Sequence, residues 1–285
     1  MKSLNKFIYQ AEPSDFPCDF KSLKKNLYDS ITYSPLRRSR ILFHESLTAE
    51  QQRMLIAFDS TSTVPLVTHT FNESFICVDG AGRYIVMNDA NNKRVDYIIS
   101  DYKSDQLFYC AIKKTLRHRF TPLTSRILAF EIAHAAFDKE NTKISDESSH
   151  IQDLSNDELA VLPINRPSDF SFKRISNDAY SIAHLDVPHL SRLHIADLFS
   201  SSFPVVVEAL KESSHESTLL EMFLLMVENQ TYEIKNKSLF VISGSVQLDT
   251  GSEKEVILKT GQIYMTSQEP INIIAKSMEG VIHVS

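Results

Sequence analysis

Residues 65–86, PLVTHTFNESFICVDGAGRYIV, combine a histidine and a glutamate with the turn and strand pattern of a small metal site. His69 precedes Glu73 by four positions, and two apolar runs separated by glycines follow. Imidazole nitrogens and carboxylate oxygens both bind divalent metals. Such a hairpin site usually contains two histidines, however, and this stretch contains one. Two alternatives are therefore open: the stretch holds a metal, or it keeps the frame of a metal site that has lost its ligands.

The composition of the whole chain is that of a folded globular protein. Its 285 residues are 42% hydrophobic and 23% charged, and the length allows two domains with separate cores. The net charge of -6 argues against a broad surface for nucleic acid or anionic membranes. The first residues lack an apolar signal segment, and no run reaches the roughly 18 apolar residues of a spanning helix. We expect a cytoplasmic protein without nucleic-acid or membrane partners.

Short apolar runs with polar or glycine breaks predict β-strands along most of the chain. One amphipathic helix precedes them, with Phe20, Leu23, Leu27 and Ile31 at helical spacing and Asp19 as the N-cap. A short helix is also expected within 189–201, and 219–227 is interpreted as a strand although its composition also suits a helix. The predicted strands are 53–58, 74–80, 83–88, 95–100, 106–112, 125–132, 169–176, 203–210, 219–227, 238–249, 254–267, 271–277 and 280–285.

A polar, acidic segment interrupts the strand pattern at 138–158. It has too few apolar side chains to offset the cost of ordering, so we interpret it as a connector. The predicted organisation is a first domain at 1–140 with the N-terminal helix, a linker at 141–158 and a second domain at 159–285.

The two halves share a spacing that indicates a repeated fold. Six residues separate Glu73 from Gly80, and six separate Lys237 from Gly244, with a strand after each glycine. This spacing resembles the cupin barrel, whose first motif is G-x5-H-x-H-x3/4-E-x6-G. We therefore predict an all-β bicupin: two double-stranded β-helix, or jelly-roll, barrels with a few short helices.

A more specific motif occupies residues 34–44. The pattern S-P-x-x-R-x-R-x-x-x-H is formed here by Ser34, Pro35, Arg38, Arg40 and His44, and the strand QRMLIA follows from position 52. Together with LRHRFTPLTSRILAFEIAHAAFDKE, these pieces resemble the WbuC family of cupin-fold proteins over about residues 20–140. That family is associated with bacterial surface-polysaccharide gene neighbourhoods and has no established reaction.

The loop before Glu73 departs from the pattern of that family. The family tends to have P-H-x-H here, which would place its two histidines at Leu66 and Thr68. Neither side chain is a useful ligand for a divalent metal. Under general cupin spacing His69 is instead the second histidine, and Val67 replaces the first.

A second histidine is implied by the same resemblance. His118 precedes Glu131 by the separation expected of the family's later histidine. The implied ligand set is His69, Glu73 and His118, for a divalent ion that the sequence does not identify as Fe, Mn, Zn or Ni. The alternative is that His69 is an ordinary loop histidine, Glu73 a satisfied polar residue at the barrel rim, and His118 a relic or a hydrogen-bond partner of the substrate.

The second half lacks a comparable set. General cupin spacing places its ligands at Thr231, Glu233, Lys237 and Tyr264, and a lysine ammonium would repel a dication. We expect no metal there.

Several strand arginines are candidates for a negatively charged substrate group. Because side chains alternate along a strand, either His118 or its neighbours can face the barrel interior, not both. The candidates are Arg53, Arg83, Arg117 and Arg119.

The resemblance to the WbuC family implies a cupin that binds or modifies a sugar or sugar nucleotide of bacterial surface-polysaccharide (O-antigen type) synthesis, with the first barrel as the place for a divalent metal. The alternative is a non-catalytic bicupin that binds a small molecule or acts as a scaffold, its metal sites having decayed. Whether the protein is an enzyme stays open. Barrel edges that need closing favour a homodimer.

Overall fold

The fold comprises two compact units that alternate along the chain. A computed structural model describes residues 1–12, 15–88, 93–138, 140–145, 172–182, 187–199, 202–211, 219–235, 237–251, 255–266 and 269–285. Unit 1 consists of Met1–Glu12, Lys24–Asp169 and His189–Arg192, and unit 2 of Pro13–Leu23, Phe170–Pro188 and Leu193–Ser285.

Thirteen strands in the described part of unit 1 form one sheet. Its order is β1-β2-β4-β5-β12-β7-β10-β9-β8-β11-β6-β13, with β16 paired to β10. Numbered in chain order, these strands are β1 (Lys2–Ser3), β2 (Ile8–Gln10), β4 (Arg38–Leu42), β5 (Gln52–Asp59), β6 (Val67–His69), β7 (Glu73–Asp79), β8 (Ala81–Asn88), β9 (Lys93–Ser100), β10 (Leu107–Ile112), β11 (Arg117–Pro122), β12 (Arg126–Ala133), β13 (Thr142–Ile144) and β16 (His189–Ser191).

Two sheets make up the described part of unit 2, in the orders β14-β15-β17-β18-β25-β20-β23-β3 and β19-β24-β21-β22. The strands are β3 (Cys18–Asp19), β14 (Lys173–Ser176), β15 (Ala179–Ser181), β17 (Val205–Lys211), β18 (Leu219–Met226), β19 (Thr231–Ile234), β20 (Ser238–Ser243), β21 (Ser245–Asp249), β22 (Val256–Lys259), β23 (Gln262–Met265), β24 (Ile271–Ala275) and β25 (Gly280–Val284).

The same eight-strand arrangement occurs in both units. In unit 1 the orders are β5-β12-β7-β10 and β9-β8-β11-β6, and in unit 2 they are β18-β25-β20-β23 and β22-β21-β24-β19. The eight strands of unit 1 are β5 to β12 and those of unit 2 are β18 to β25. Each strand of the first series takes the same place in its sheet as the strand whose number is thirteen higher. This repeat is the double-stranded β-helix, and the predicted all-β bicupin fold is confirmed.

A glycine in the left-handed conformation bends the chain at the same point of each repeat. Gly80 joins β7 to β8 with φ 85°, and Gly244 joins β20 to β21 with φ 87°. The sequence predicted a hairpin within residues 65–86, and this detail is wrong. β7 pairs with β10 and β12, whereas β8 pairs with β9 and β11. The glycine turns the chain from one sheet half into the other, which local sequence does not reveal because the pairing partners are distant in the chain.

The predicted N-terminal helix is α1 (Phe20–Ser30). The Asp19 side chain accepts the Lys21 backbone N–H at 2.9 Å, as its predicted capping role requires. Leu23, Leu27 and Ile31 are buried at helical spacing. The helix expected within 189–201 is shorter than predicted, because β16 occupies its start and only α2 (Arg192–Ile195) and a 3-10 turn follow.

Part of the predicted linker at 141–158 is ordered as β13, which pairs with β6. Residues 146–158 lie outside the described residues, and the domain boundaries drawn from the sequence stay a prediction. Among the described helices, none is both long and apolar enough to cross a membrane.

Candidate metal centre

Three neighbouring segments of unit 1 bring His69, Glu73 and His118 together. His69 ends β6, Glu73 begins β7 after a short loop, and His118 is the second residue of β11. β6 and β11 are paired, with His118 opposite Val67. Along β11 the side chains alternate between half-buried and buried, so His118 faces the interior.

The donor atoms of these residues converge on one point. His69 Nε2 lies 3.2 Å from Glu73 Oε2, and His118 Nε2 lies 3.7 Å from Glu73 Oε1. One ligand atom from each residue can be chosen so that all lie within 4.8 Å of one another, the separation expected around a shared metal ion. The side chains are buried, so this is not a chance cluster of surface charges. Among the described residues no other group of three such ligands occurs.

The outer nitrogens of both imidazoles have fixed partners. His118 Nδ1 lies 3.2 Å from the carbonyl oxygen of Leu116, which can only accept a hydrogen bond, so Nδ1 carries a proton. His69 Nδ1 lies 3.0 Å from the Thr142 hydroxyl on β13. Such partners orient metal-binding histidines in known sites. The His118 Nε2 that faces the Glu73 carboxylate must therefore hold a second proton or meet a cation.

The two neighbouring histidines keep the Glu73 carboxylate ionised. Burial alone would raise the pKa of Glu73, but the His118 and His69 imidazoles lower it well below its usual range. Burial opposes a charge on His118, yet the carboxylate of Glu73 raises its pKa above the ordinary value. The Tyr84 hydroxyl donates to Glu73 Oε1 at 3.3 Å, and its own pKa is raised by burial and by that carboxylate.

Aromatic rings hold the first histidine in place. The His69 ring stacks on Phe71 at a centroid distance of 4.7 Å and meets the edge of Phe137 at 5.4 Å. These contacts restrict rotation of the imidazole and shield it from water.

The cluster opens onto a cavity of about 570 Å³ within unit 1. Most of its lining side chains are apolar, including Met54, Ile56 and Phe58 of β5. A volume of this size suits a small organic ligand. Further polar side chains of the lining include Arg38, Arg40, His44 and Glu131.

Glu131 is the second carboxylate of this cavity. Burial and the nearby charge of Glu73 raise its pKa to about 7, while Arg40 and Arg38 act in the opposite direction. At neutral pH it therefore exchanges a proton readily.

The structure does not bring the arginines predicted for substrate binding to this cavity. Arg53, Arg83, Arg117 and Arg119 are absent from its lining. Arg117 and Arg119 alternate with the inward-facing His118, so they point to the other side of β11. Arg83 is buried and lies 4.0 Å from Asp96.

In unit 2 the positions aligned with metal ligands are not buried as the cluster of unit 1 is. Thr231 and Glu233 are exposed, while Lys237 and Tyr264 are half-buried. The interior of this barrel is an apolar cluster that includes Leu224, Val241 and Ile273.

Sequence reasoning missed two features of the buried polar network. Thr142 lies in the segment interpreted as a linker, and nothing in its local composition indicates a strand. The pair His283–Glu221, with Nε2 and Oε2 at 2.9 Å, is buried in unit 2 between β25 and β18. Its members are far apart in sequence, and only the pairing of these strands brings them together.

Comparisons with known proteins support the fold assignment. Residues 21–98 match the model of a family described as a domain of unknown function, DUF6016. A search of curated proteins gave no match. The matched family carries no function, so the resemblance to the WbuC family stays a prediction.

Among solved structures, salicylate 1,2-dioxygenase from Pseudaminobacter salicylatoxidans aligns with 100% of this chain and 85% of its own, at 11% identity and a TM-score of 0.61. A cupin 2 conserved barrel domain protein from Leptotrichia buccalis aligns with 87% of this chain and 86% of its own, at 10% identity and a TM-score of 0.47. Oxalate decarboxylase from Bacillus subtilis aligns with 87% and 70%, at 9% identity and a TM-score of 0.48. Of these three, the salicylate 1,2-dioxygenase has a TM-score above 0.5, and its likeness agrees with the all-β cupin fold seen in the strand orders of both units. At 11% identity that likeness concerns the fold alone.

Proposed function

We propose that unit 1 binds a divalent metal ion through His69, Glu73 and His118 and binds a small molecule in the adjoining cavity. One observation carries the proposal: three buried donor atoms of the right types lie within 4.8 Å of one another beside a cavity of about 570 Å³. Two imidazoles and one carboxylate leave coordination positions open for water or a ligand.

The surrounding residues suit a metal ion. The lowered pKa of Glu73 supplies an anionic oxygen, and the Leu116 carbonyl orients His118 with Nε2 towards the cluster. The donor set does not distinguish Fe, Mn, Zn or Ni. A bound ion would polarise a carbonyl group or activate water or oxygen. Tyr84 would hold the carboxylate, and the apolar lining would limit access of bulk water.

The ligand class proposed from the sequence is a sugar or sugar nucleotide of bacterial surface-polysaccharide synthesis. The resemblance of residues 20–140 to the WbuC family supports it. Within the same proposal the protein is cytoplasmic, forms a homodimer and does not act on nucleic acid or membranes.

A non-catalytic binding protein is the second candidate. It is favoured by Leu66 and Thr68, which stand where the resembled family has its histidines. In that case the Glu73–His118 contact is an ion pair that holds the barrel mouth, and no metal is needed.

Metal analysis of untagged protein separates the two candidates. We expect about one equivalent of a divalent metal in the wild type and in His134→Ala, a control in unit 1 whose histidine lies outside the cavity lining. Glu73→Ala and His118→Ala should both lose the metal. Wild-type protein without metal, refolded with added metal and still empty, would support the second candidate.

A further inference from the structure

Strand β4 turns two arginines towards the cavity. Arg38 and Arg40 lie two residues apart and line the cavity with Leu42, whereas Ser39 is buried on the other side of the strand, where its hydroxyl donates to the Leu27 carbonyl. The alternation of a strand enforces this arrangement. Both arginines and His44 belong to the motif at residues 34–44, to which the sequence assigned no role.

Within the described part of the chain, the Arg38 and Arg40 side chains form no hydrogen bond or ion pair, and the Nε atom of each is buried without an acceptor. Both side chains are half-buried. A guanidinium group in this position normally has a carboxylate or another acceptor as its partner, because burying it unpaired is costly.

His44 adds a third unpaired polar group at the same wall. Its side chain is only 5% exposed and lines the cavity. Its Nδ1 lies 3.1 Å from the Arg53 N–H and 3.0 Å from the Arg53 carbonyl oxygen, while within the described residues its Nε2 has no partner. When Nδ1 accepts that N–H, Nε2 carries the proton and is a hydrogen-bond donor; when Nδ1 donates to the carbonyl, Nε2 donates only from the doubly protonated ring.

The charged groups that line the cavity leave a net positive charge beside Arg38, Arg40 and His44. Glu131 on β12 and Glu73 on β7 are the carboxylates that line the cavity, and Glu73 faces His69, His118 and Tyr84. Burial, and then the charge of Arg40, lower the pKa of Arg38 to about 10, although Glu131 raises it. Two guanidinium groups therefore lie near a single further carboxylate, Glu131, with which neither forms an ion pair within the described residues.

We propose that Arg38, Arg40 and His44 bind an oxyanion group, a carboxylate or a phosphate, of a small organic ligand. The inference rests on the proposed metal site and cavity, and its apolar ligand body is an alternative to the sugar class proposed from the sequence. Planar guanidinium groups are suited to oxyanions, since they donate paired hydrogen bonds.

The position of the arginines also orients the ligand. β5 and β12 separate β4 from β7, and the strand registers place Arg40 opposite Ile56 of β5 but Glu73 in line with Gln52, so the arginines and Glu73 are apart both across and along the sheet. The apolar side chains of Met54, Ile56 and Phe58 lie on β5 between them. The ligand thus has its oxyanion at β4, an apolar body against β5, and its other end towards the metal cluster.

Calorimetric titration of the untagged full-length chain tests this inference with four probes. Benzoate and phenyl phosphate share an aromatic body and differ in the oxyanion, benzyl alcohol lacks the charge, and glucose 1-phosphate replaces the apolar body. We expect benzoate or phenyl phosphate to bind at least about tenfold more tightly than benzyl alcohol. The tighter of the two identifies the oxyanion.

Arginine variants locate the binding. Arg38→Gln and Arg40→Gln should each weaken binding of the oxyanion probe by about tenfold or more, whereas Arg126→Gln, an exposed arginine outside the cavity lining, should not. Removing an unpaired buried charge should not lower the melting temperature, and Arg38→Lys should recover part of the affinity.

The outcomes separate this inference from the metal proposal. Equal binding of charged and uncharged probes, or full binding in both glutamine variants, overturns the oxyanion site even when metal is present. Arginine-dependent binding in protein that holds no metal supports the oxyanion site and contradicts the metal proposal. If glucose 1-phosphate binds as tightly as phenyl phosphate, the claim that the ligand has an apolar body is overturned.

Discussion

At the residue scale, the chemistry of the site depends on which ring nitrogen of His118 already forms a hydrogen bond. Its Nδ1 donates to the Leu116 carbonyl, so its Nε2 meets the Glu73 carboxylate with either a proton or a metal ion between them. The sequence predicted this histidine from one family spacing and predicted His69 from its distance to Glu73. It did not predict Tyr84, because a tyrosine in a strand carries no sign of which side it faces.

Removing the Tyr84 hydroxyl should weaken the metal site without unfolding the barrel. Tyr84→Phe loses the hydrogen bond to Glu73 Oε1 but keeps the ring contacts with Phe75 and Phe120. Loss of such an outer partner should lower metal affinity about tenfold or more. Competition with a coloured chelator measures the affinity, and the exposed Tyr33→Phe is the matched control. An affinity equal to that of the wild type would show that Tyr84 does not support the carboxylate.

At the element scale, the repeat rests on bends that only glycine accommodates. A Cβ on Gly80 would lie 2.5 Å from the Arg126 carbonyl oxygen, and one on Gly244 would lie 2.5 Å from that of Glu279. The spacing of these glycines was predictable because turns with positive φ select glycine locally. The pairing of the flanking strands was not, because it depends on residues far away in the chain.

Gly244→Ala should destabilise unit 2 much more than Gly251→Ala. Both glycines have positive φ, so alanine is strained by about 1 kcal/mol at either position, but a Cβ on Gly251 has no atom within 4 Å. The clash at Gly244 should raise the total cost to about 2–4 kcal/mol. Unfolding in urea measures the difference. Equal losses in the two variants would mean that the backbone at Gly244 moves freely to accept a side chain.

Asp59, the last residue of β5, should make the stability of the protein depend on pH. Burial would raise the pKa of Asp59, but hydrogen bonds from Thr61 and the ion pair with Arg37 lower it below its ordinary value of 3.8. A lowered folded-state pKa means that the stabilisation is present above about pH 3.8 and is lost as the pH falls further.

Arg37→Gln should therefore be less stable than the wild type at pH 7 and should approach it below pH 3.8. The Arg37 side chain is partly exposed, so the difference at pH 7 should be below about 1 kcal/mol. Urea unfolding at several pH values measures it. A difference that stays constant into acid would assign the effect to packing instead of charge.

At the scale of the whole molecule, the sequence predicted the bicupin fold, because strand lengths, turn glycines and their repeat are local signals. It predicted that His69, Glu73 and His118 form a cluster, but it did not predict that β4 turns two arginines towards the same cavity. Arg38 and Arg40 were recognised as part of a motif, while Arg53, Arg83, Arg117 and Arg119 were chosen for substrate binding. Inward and outward faces of a barrel strand are fixed by distant pairing, so the choice could not be made from the strand itself.

Anomalous diffraction from crystals of the metal-loaded, untagged protein tests the central claim most directly. We expect one strong anomalous-difference peak in unit 1, about 2.0–2.2 Å from Nε2 of His69, Nε2 of His118 and a carboxylate oxygen of Glu73. A peak bound elsewhere, or no peak while these side chains contact each other as a closed ion pair, would contradict it.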